Sequence, residues 1–282
     1  MANILIDIVS DLHIDQWNTN LDNKYPCGKR SNYPYDFDNK KANILIVAGD
    51  TSDNINLSLD YLERVSEKYD KILFIDGNHE HVHKYPNLYT TSDINEKVKA
   101  INNNKLVYLP KNHYIIDKTV FIGFCGWWDY NNKTESDKFI NYFKKWIPEF
   151  TEKESREFIN NVTNQSLNEA EKLKESIDKY NNDPYINNII IVTHTVPHDS
   201  YCPLDGNNNP RINTVLNTKI RDLINSKNNK ISHWIFGHTH AHYESHLNNI
   251  HFVCNPRGRP EDYNRNVYNL KTLHINTINS RL

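Results

Sequence analysis

The chain has 282 residues, 38% hydrophobic, 24% charged and 11% aromatic, enough apolar material for a sizeable core in one or two domains. With 8 glycines, 11 prolines and a net charge of −2 it is neither disordered throughout nor collagenous. That charge gives no bulk electrostatic case for nucleic acid or an anionic membrane, and no apolar run approaches the roughly 20 residues of a bilayer span.

The start of the chain has no basic segment and meets Asp7 before any long apolar stretch, so it reads as a first β-strand and not as a signal peptide. Four scattered cysteines (Cys27, Cys125, Cys202, Cys254) contain no C-x-x-C pair, and indicate neither a structural zinc site nor a disulfide framework. Together these favour a reducing, cytoplasmic setting. Asparagine runs such as 102–104 and 207–209 read as compositional bias placed in loops.

Short, β-branched, nearly continuous apolar runs fall at 4–9, 44–48, 72–75, 120–124, 189–193 and 234–236. Runs this short and unbroken suggest strands buried on both faces. Helical spacing follows between them: Leu57, Tyr61, Leu62 and Val65, then Ile94, Val98 and Ile101, and later Val215, Leu216, Ile220, Leu223 and Ile224. From about 134 to 182 no strand signal appears. There Phe158, Val162, Ala170, Leu173, Ile177 and Tyr180 form a helical stripe, so a helical insertion is expected. At the end, 241–246, 250–254 and 267–275 read as a meander, with Asn248-Asn249 as a turn. The alternation predicts one α/β domain over 1–282.

The chemistry lies where polar residues meet strand ends. Five runs lead at once into Asp11-Leu12-His13, Gly49-Asp50-Thr51-Ser52-Asp53, Asp76-Gly77-Asn78-His79-Glu80, His194, and Gly237-His238-Thr239-His240. Ligands bind at the carboxyl ends of strands in α/β sheets. So many imidazoles and carboxylates in one crevice are costly to bury without a cation. Mixed oxygen and nitrogen donors suit Mn²⁺, Fe or Zn²⁺ better than Ca²⁺.

Taken in order, these five blocks resemble the signature of the calcineurin-like metallophosphoesterases, over residues 11–240. The resemblance implies a four-layer α-β-β-α sandwich of two mixed β-sheets with flanking helices. It implies two divalent ions, Mn²⁺ first, with Fe, Zn²⁺, Ni²⁺ or Mg²⁺ as alternatives. Asp11, His13, Asp50 and His240 would hold the first ion; Asp50 as a bridge, Asn78, His194 and His238 would hold the second. The implied reaction is hydrolysis of a small phosphoester, monoester or diester, by a hydroxide shared between the ions. His79 would be the general acid, assisted by a carboxylate that the sequence leaves unidentified.

Ser/Thr protein phosphatases of this family carry an Arg before G-N-H-E and a longer G-D block. Here Asp76 precedes Gly77 and Asn54-Ile55 follow Asp53, which disfavours that role. Trp127-Trp128-Asp129-Tyr130 and Asn255-Pro256-Arg257-Gly258 resemble blocks of small bacterial and viral members of unassigned substrate. Arg257 is the expected phosphate-binding cation, and His198, in the loop after His194, could also reach substrate. Asp53 and Glu80 are expected to cap or turn, the other histidines to pack or face solvent, and Trp127 and Trp128 to fill core. Two other readings stay open: a nuclease, which the near-neutral charge disfavours, and a non-catalytic scaffold, which would have lost ligands or His79. Specificity is assigned to the loops 16–39 and 201–210.

Overall fold

The computed structural model describes residues 3–17, 35, 37–130, 137–202, 213–224, 230–262 and 268–276. Cys27, the 207–209 run and most of the two specificity loops lie outside them, as does the stretch 131–136.

The chain runs β1 (Asn3–Val9), β2 (Ile44–Ala48), α1 (Ile55–Val65), β3 (Lys71–Ile75), α2 (Thr91–Ile101), β4 (Leu106–Tyr108), β5 (Tyr114–Ile116) and β6 (Thr119–Phe124). It continues with α3 (Asp137–Trp146), α4 (Glu152–Asn182), β7 (Asn188–Thr193), α5 (Thr218–Ile224), β8 (Ile231–Phe236), β9 (Tyr243–Leu247), β10 (Ile250–Cys254) and β11 (Lys271–Asn276). One sheet has the order β11-β1-β2-β3-β4, the other β5-β6-β7-β8-β10-β9. In the first, β1 to β4 are parallel and β11 is antiparallel to β1. In the second, β6, β7, β8 and β10 are parallel, and β5 and β9 close the two edges antiparallel.

The sheets pack face to face through Ile6, Ile8, Ile46, Leu73 and Ile75 on one side and Phe121, Ile190, Val192, Ile235 and Val253 on the other. The outer face of the first sheet is covered by α1 and α2 through Leu59, Leu62 and Ile94. The second is covered by α4 and α5 through Leu173, Ile177, Ile220 and Ile224. This is the expected four-layer sandwich. With both faces of each sheet covered, the central strands read as unbroken apolar runs instead of alternating ones.

Helix starts are encoded locally. Thr90 with Asp93 and Thr151 with Glu154 form reciprocal capping boxes at α2 and α4, and Asn54 accepts the amide of Asn56 at α1. Each such cap stabilises by about 1 kcal/mol. The predicted stripe of α4 is buried from Phe158 to Tyr180. Its first turns, with Phe139, Ile140 and Phe143 of α3, pack on Trp127, Trp128 and Tyr130 at the rim of the sandwich.

Two expectations are corrected, and two strands had none. The C-terminal strands are not a meander: β9 and β10 form a hairpin, but β10 lies parallel to β8 and β11 crosses to the first sheet beside β1. The turn Asn248-Asn249 is right, both residues having the positive φ (51° and 63°) that a tight hairpin demands. Val215 and Leu216 precede α5 instead of opening it, Leu216 bridging Val196. Strands β4 and β5, three residues each, are too short for periodicity to reveal. No helix among the described residues is long and apolar enough to cross a membrane.

Gly123 marks how closely the sheets approach: a Cβ there would stand 2.7 Å from Ile75 Cγ2 and 2.9 Å from Leu109 Cβ. Gly123→Ala is therefore expected to destabilise by about 1–3 kcal/mol, as overpacking does. A lower urea midpoint at unchanged slope is the expected result; an unchanged midpoint would contradict the close approach.

Candidate metal centre

The carboxyl ends of β1, β2 and β3 in one sheet and of β7 and β8 in the other meet at one rim. Each carries one of the polar blocks. Asp11, His13, Asp50, His238 and His240 all have left-handed backbone, with φ of 50°, 43°, 54°, 74° and 53°. Such conformations in non-glycine residues cost on the order of 1–3 kcal/mol each and gather at functional sites. Here they turn five side chains back toward the seam between the sheets.

Bonds to the carboxylates lock these turns, within the first sheet and across the seam. The Asp11 carboxylate accepts the amide of His238 at 2.9 Å and the hydroxyl of Ser10 at 2.5 Å. Asp50 Oδ1 accepts the amide of His79 at 2.9 Å. Gly49 is required twice over: its φ is +79°, and a Cβ would lie 2.6 Å from His194 Nδ1. Glu80, expected only to cap or turn, instead accepts the amides of Asp50, Thr51, Ser52 and Gly77 and the hydroxyl of Ser58. One buried carboxyl thus fastens the β2 turn to the β3 turn. Burial, with the Asp50 charge nearby, pushes its pKa up to about 8.

Three groups of donor atoms result, one of them His13 with Asp53 and His79. In the other two, Asp11, His13, Asp50 and His240 each bring a donor within 4.8 Å of the others, and so do Asp50, His194 and His238. Only Asp50 belongs to both of these. His13 Nε2 lies 3.0 Å from His240 Nε2, and His194 Nε2 lies 3.1 Å from Asp50 Oδ2 and 3.2 Å from both Asn78 Oδ1 and His238 Nδ1. On three of the four imidazoles the other ring nitrogen is tied outward: His194 Nδ1 donates to Ala48 O, His238 Nε2 to Thr214 O and His240 Nδ1 to Asp262 Oδ2. These bonds orient the three rings so that the inward nitrogens are the ones available to a cation.

Burial opposes ionisation of Asp50, yet the imidazoles of His194 and His79 hold it well below the usual carboxylate range. His194 is correspondingly driven up, against its burial, to about 10 by Asp50. Burial and His194 press His238 down to about 3, and burial and His79 press His13 well down. The cluster therefore demands positive charge beside Asp50 while keeping two of its imidazoles neutral. Bound divalent cations would satisfy these donors, so the residues fit a metal site.

His79 stands at the edge of this centre. Its Nδ1 pairs with Asp53 Oδ1 at 2.6 Å, and its Nε2 is 3.9 Å from Asp50 Oδ2. Burial works against a proton on His79, but Asp50 and Asp53 raise its pKa. Asp53, expected to cap α1, is thus the carboxylate paired with His79; Asn54 is the cap. A cavity of about 340 Å³ opens here, lined by His79, Trp128, Phe143, Thr214 and Arg259 among others. Trp128 stacks on His238 with ring centres 5.6 Å apart, so it is both core and cavity wall.

All seven expected ligands and His79 converge on this rim; the two expected substrate residues do not line its cavity. Arg257 is 2% exposed, its guanidinium stacked over Trp17 at 4.1 Å and near Tyr35 at 5.5 Å. The Arg257 expectation is corrected accordingly: the aromatic faces take its charge inward, and Arg259 is the arginine on the cavity wall. His198 caps the short turn Asp199–Tyr201 by accepting the amide of Ser200. Asp262, which holds His240, and Arg259 were missed. Their only sequence signal is closeness to Asn255-Pro256-Arg257-Gly258.

The family model of the calcineurin-like phosphoesterases matches residues 4–242. The chain belongs to the calcineurin-like phosphoesterase family. A curated relative, the uncharacterized protein L509 of Acanthamoeba polyphaga mimivirus, is 27% identical over 270 residues, 92% of this chain and 93% of that one. Among solved structures the fold is similar to phosphopantetheinyl hydrolase of Mycobacterium tuberculosis, with a TM-score of 0.67 at 15% identity over 96% of both chains. A metal-dependent hydrolase of phosphoesters is the coarse activity that family membership and the clustered donors support.

Glu169 of α4 secures the loop that carries Trp128 by accepting the amides of Gly126 at 2.7 Å and Trp127 at 3.3 Å. Burial, with the Asp76 charge nearby, raises its pKa from 4.5 to about 8. The folded state therefore binds a proton that the unfolded state releases, and this contribution to stability is lost as pH rises from about 4.5 through 8. In Glu169→Gln the decline of unfolding free energy over that range should be shallower than in wild type. Equal slopes would contradict the assignment.

Proposed function

We propose that the chain is a dinuclear metal-dependent phosphoester hydrolase acting on a small substrate in a cytoplasmic setting. Asp11, His13, Asp50 and His240 hold one ion, and Asp50, Asn78, His194 and His238 the other, with Mn²⁺ the first choice. The observation that supports this reading is that Asp50 belongs both to the donor group with Asp11, His13 and His240 and to the group with His194 and His238. Two such ions, when bound, offset charge on phosphoryl oxygens and lower the pKa of water toward neutrality.

The chain's own residues supply the rest. Asp53 fixes the ring of His79 and favours its protonated form, leaving Nε2 on the cavity wall to hand a proton to the departing oxygen. The balance is that of hydrolysis: water gives its OH to phosphorus and releases one proton, the ester P–O bond breaks, and the alcohol leaves with the proton from His79, which the proton released by water restores. Asp262 and the carbonyls of Thr214 and Ala48 orient three imidazoles so that their donor atoms need not reorganise. The wall of Trp128 and Phe143 excludes water from one side of the centre.

The test is a panel of chromogenic mono- and diesters and nucleotide esters, run with Mn²⁺, Ni²⁺, Zn²⁺ and Mg²⁺ in turn and with chelator. Hydrolysis that chelation abolishes is expected; hydrolysis of no ester with any metal would overturn the reading. His79→Asn should lower kcat by about 10²–10⁴-fold at unchanged metal content. If metal is lost along with activity, His79 is not the acid.

A further inference from the structure

Among the buried side-chain atoms without a hydrogen-bond partner, two are N–H groups of residues that line the cavity: Nε of Arg259 and Nε1 of Trp128. A folded protein seldom leaves buried donors unmade, so a pair on one cavity points to an acceptor that arrives from outside. Arg259 brings a further donor, Nη2, which lies 3.0 Å from His79 Nε2. Its main chain is anchored at the centre, because Asp262 Oδ2 accepts both the amide of Arg259 at 2.7 Å and Nδ1 of His240 at 2.5 Å. Among the described residues lining the cavity, Arg259 is the one permanent cation.

A guanidinium pairs best with two oxygens of one anion. A phosphomonoester presents a terminal group with three free oxygens and up to two negative charges. A diester presents two free oxygens and one charge. Resting on the phosphoesterase reading above, we infer that Arg259 and Trp128 Nε1 clamp the phosphoryl oxygens of substrate and thereby select phosphomonoesters over diesters. Arg259 then does for the substrate what Arg257, stacked between aromatic rings, is not placed to do. Binding a phosphoryl group also draws the guanidinium away from His79 Nε2, the atom that must face the departing oxygen. The faces of Trp128 and Phe143 leave apolar surface for the organic part of the ester.

The test compares 4-nitrophenyl phosphate with bis(4-nitrophenyl) phosphate in the Mn²⁺-loaded protein, its Arg259→Gln and Arg259→Lys variants, and Trp128→Phe. Alongside, inorganic phosphate binding is measured by equilibrium dialysis and metal content by elemental analysis. Wild type should prefer the monoester. Arg259→Gln should lower its kcat/KM and weaken phosphate binding by about 10–100-fold, the range of a charge-assisted hydrogen bond, with the diester changed less than about 3-fold. Arg259→Lys should recover part of the loss, and Trp128→Phe, which keeps the ring and removes the donor, should lose about 3–10-fold. Metal content should stay constant; if Arg259→Gln loses metal, the Lys and Trp128 variants decide. A preference for the diester, or equal losses on both esters with phosphate binding unchanged, would overturn the inference. If neither ester is hydrolysed but phosphate binding still depends on Arg259, the phosphoesterase reading fails and the anion clamp stands.

Discussion

A single carboxylate, buried and charged at the seam of two sheets, sets the terms for everything around it. Asp50 is 1% exposed, and burial on its own would neutralise it. It remains an anion because imidazoles from both sheets surround it and because the turn that carries it cannot relax. Glu80 takes the amides of Asp50, Thr51 and Ser52 on one side and of Gly77 on the other. Removing that carboxyl would strand four backbone donors, each worth about 1–3 kcal/mol when left unmade. The strained φ of Asp50 is thus held by a network and not by propensity.

The sandwich matters to this site chiefly as a way of bringing two sets of strand ends together. The first sheet delivers Asp11, His13, Asp50, Asn78 and His79; the second delivers His194, His238 and His240. Asp11 spans the seam by accepting the amide of His238, and Gly237 N donates to His194 O within the second sheet. The segment 255–262 then straps the rim. Amides of Arg257 and Gly258 donate to the carbonyls of Ser10 and Asp11, and Trp17 Nε1 donates to Gly258 O. The same strap presents Asp262 to His240 and Arg259 to His79. The proposed ligand orientation and the proposed substrate contact therefore share one short piece of backbone.

Much of this was legible in the sequence, for identifiable reasons. Strands buried on both faces advertise themselves as apolar runs, and β2 and β10 were placed to the residue. Every proposed ligand follows a strand directly, so order along the chain already grouped them. Strand β11 was misplaced because pairing partners far apart in sequence leave no local trace: Asn3 faces Asn276. The role of Asp53 was hidden because a residue before a helix looks the same whether it caps or reaches across to His79. Arg257 and Arg259 differ by two positions and by nothing else that composition reveals. Only the packing of Trp17 and Tyr35 separates the buried cation from the one on the cavity wall.

The most direct measurement is the metal content of purified, Mn²⁺-equilibrated protein beside Asp50→Asn, each checked for native folding. The account requires two equivalents in the parent chain and a drop below one in the variant, because a neutral amide joins two cations poorly. Two equivalents retained by Asp50→Asn, or a parent chain that binds none, would contradict it.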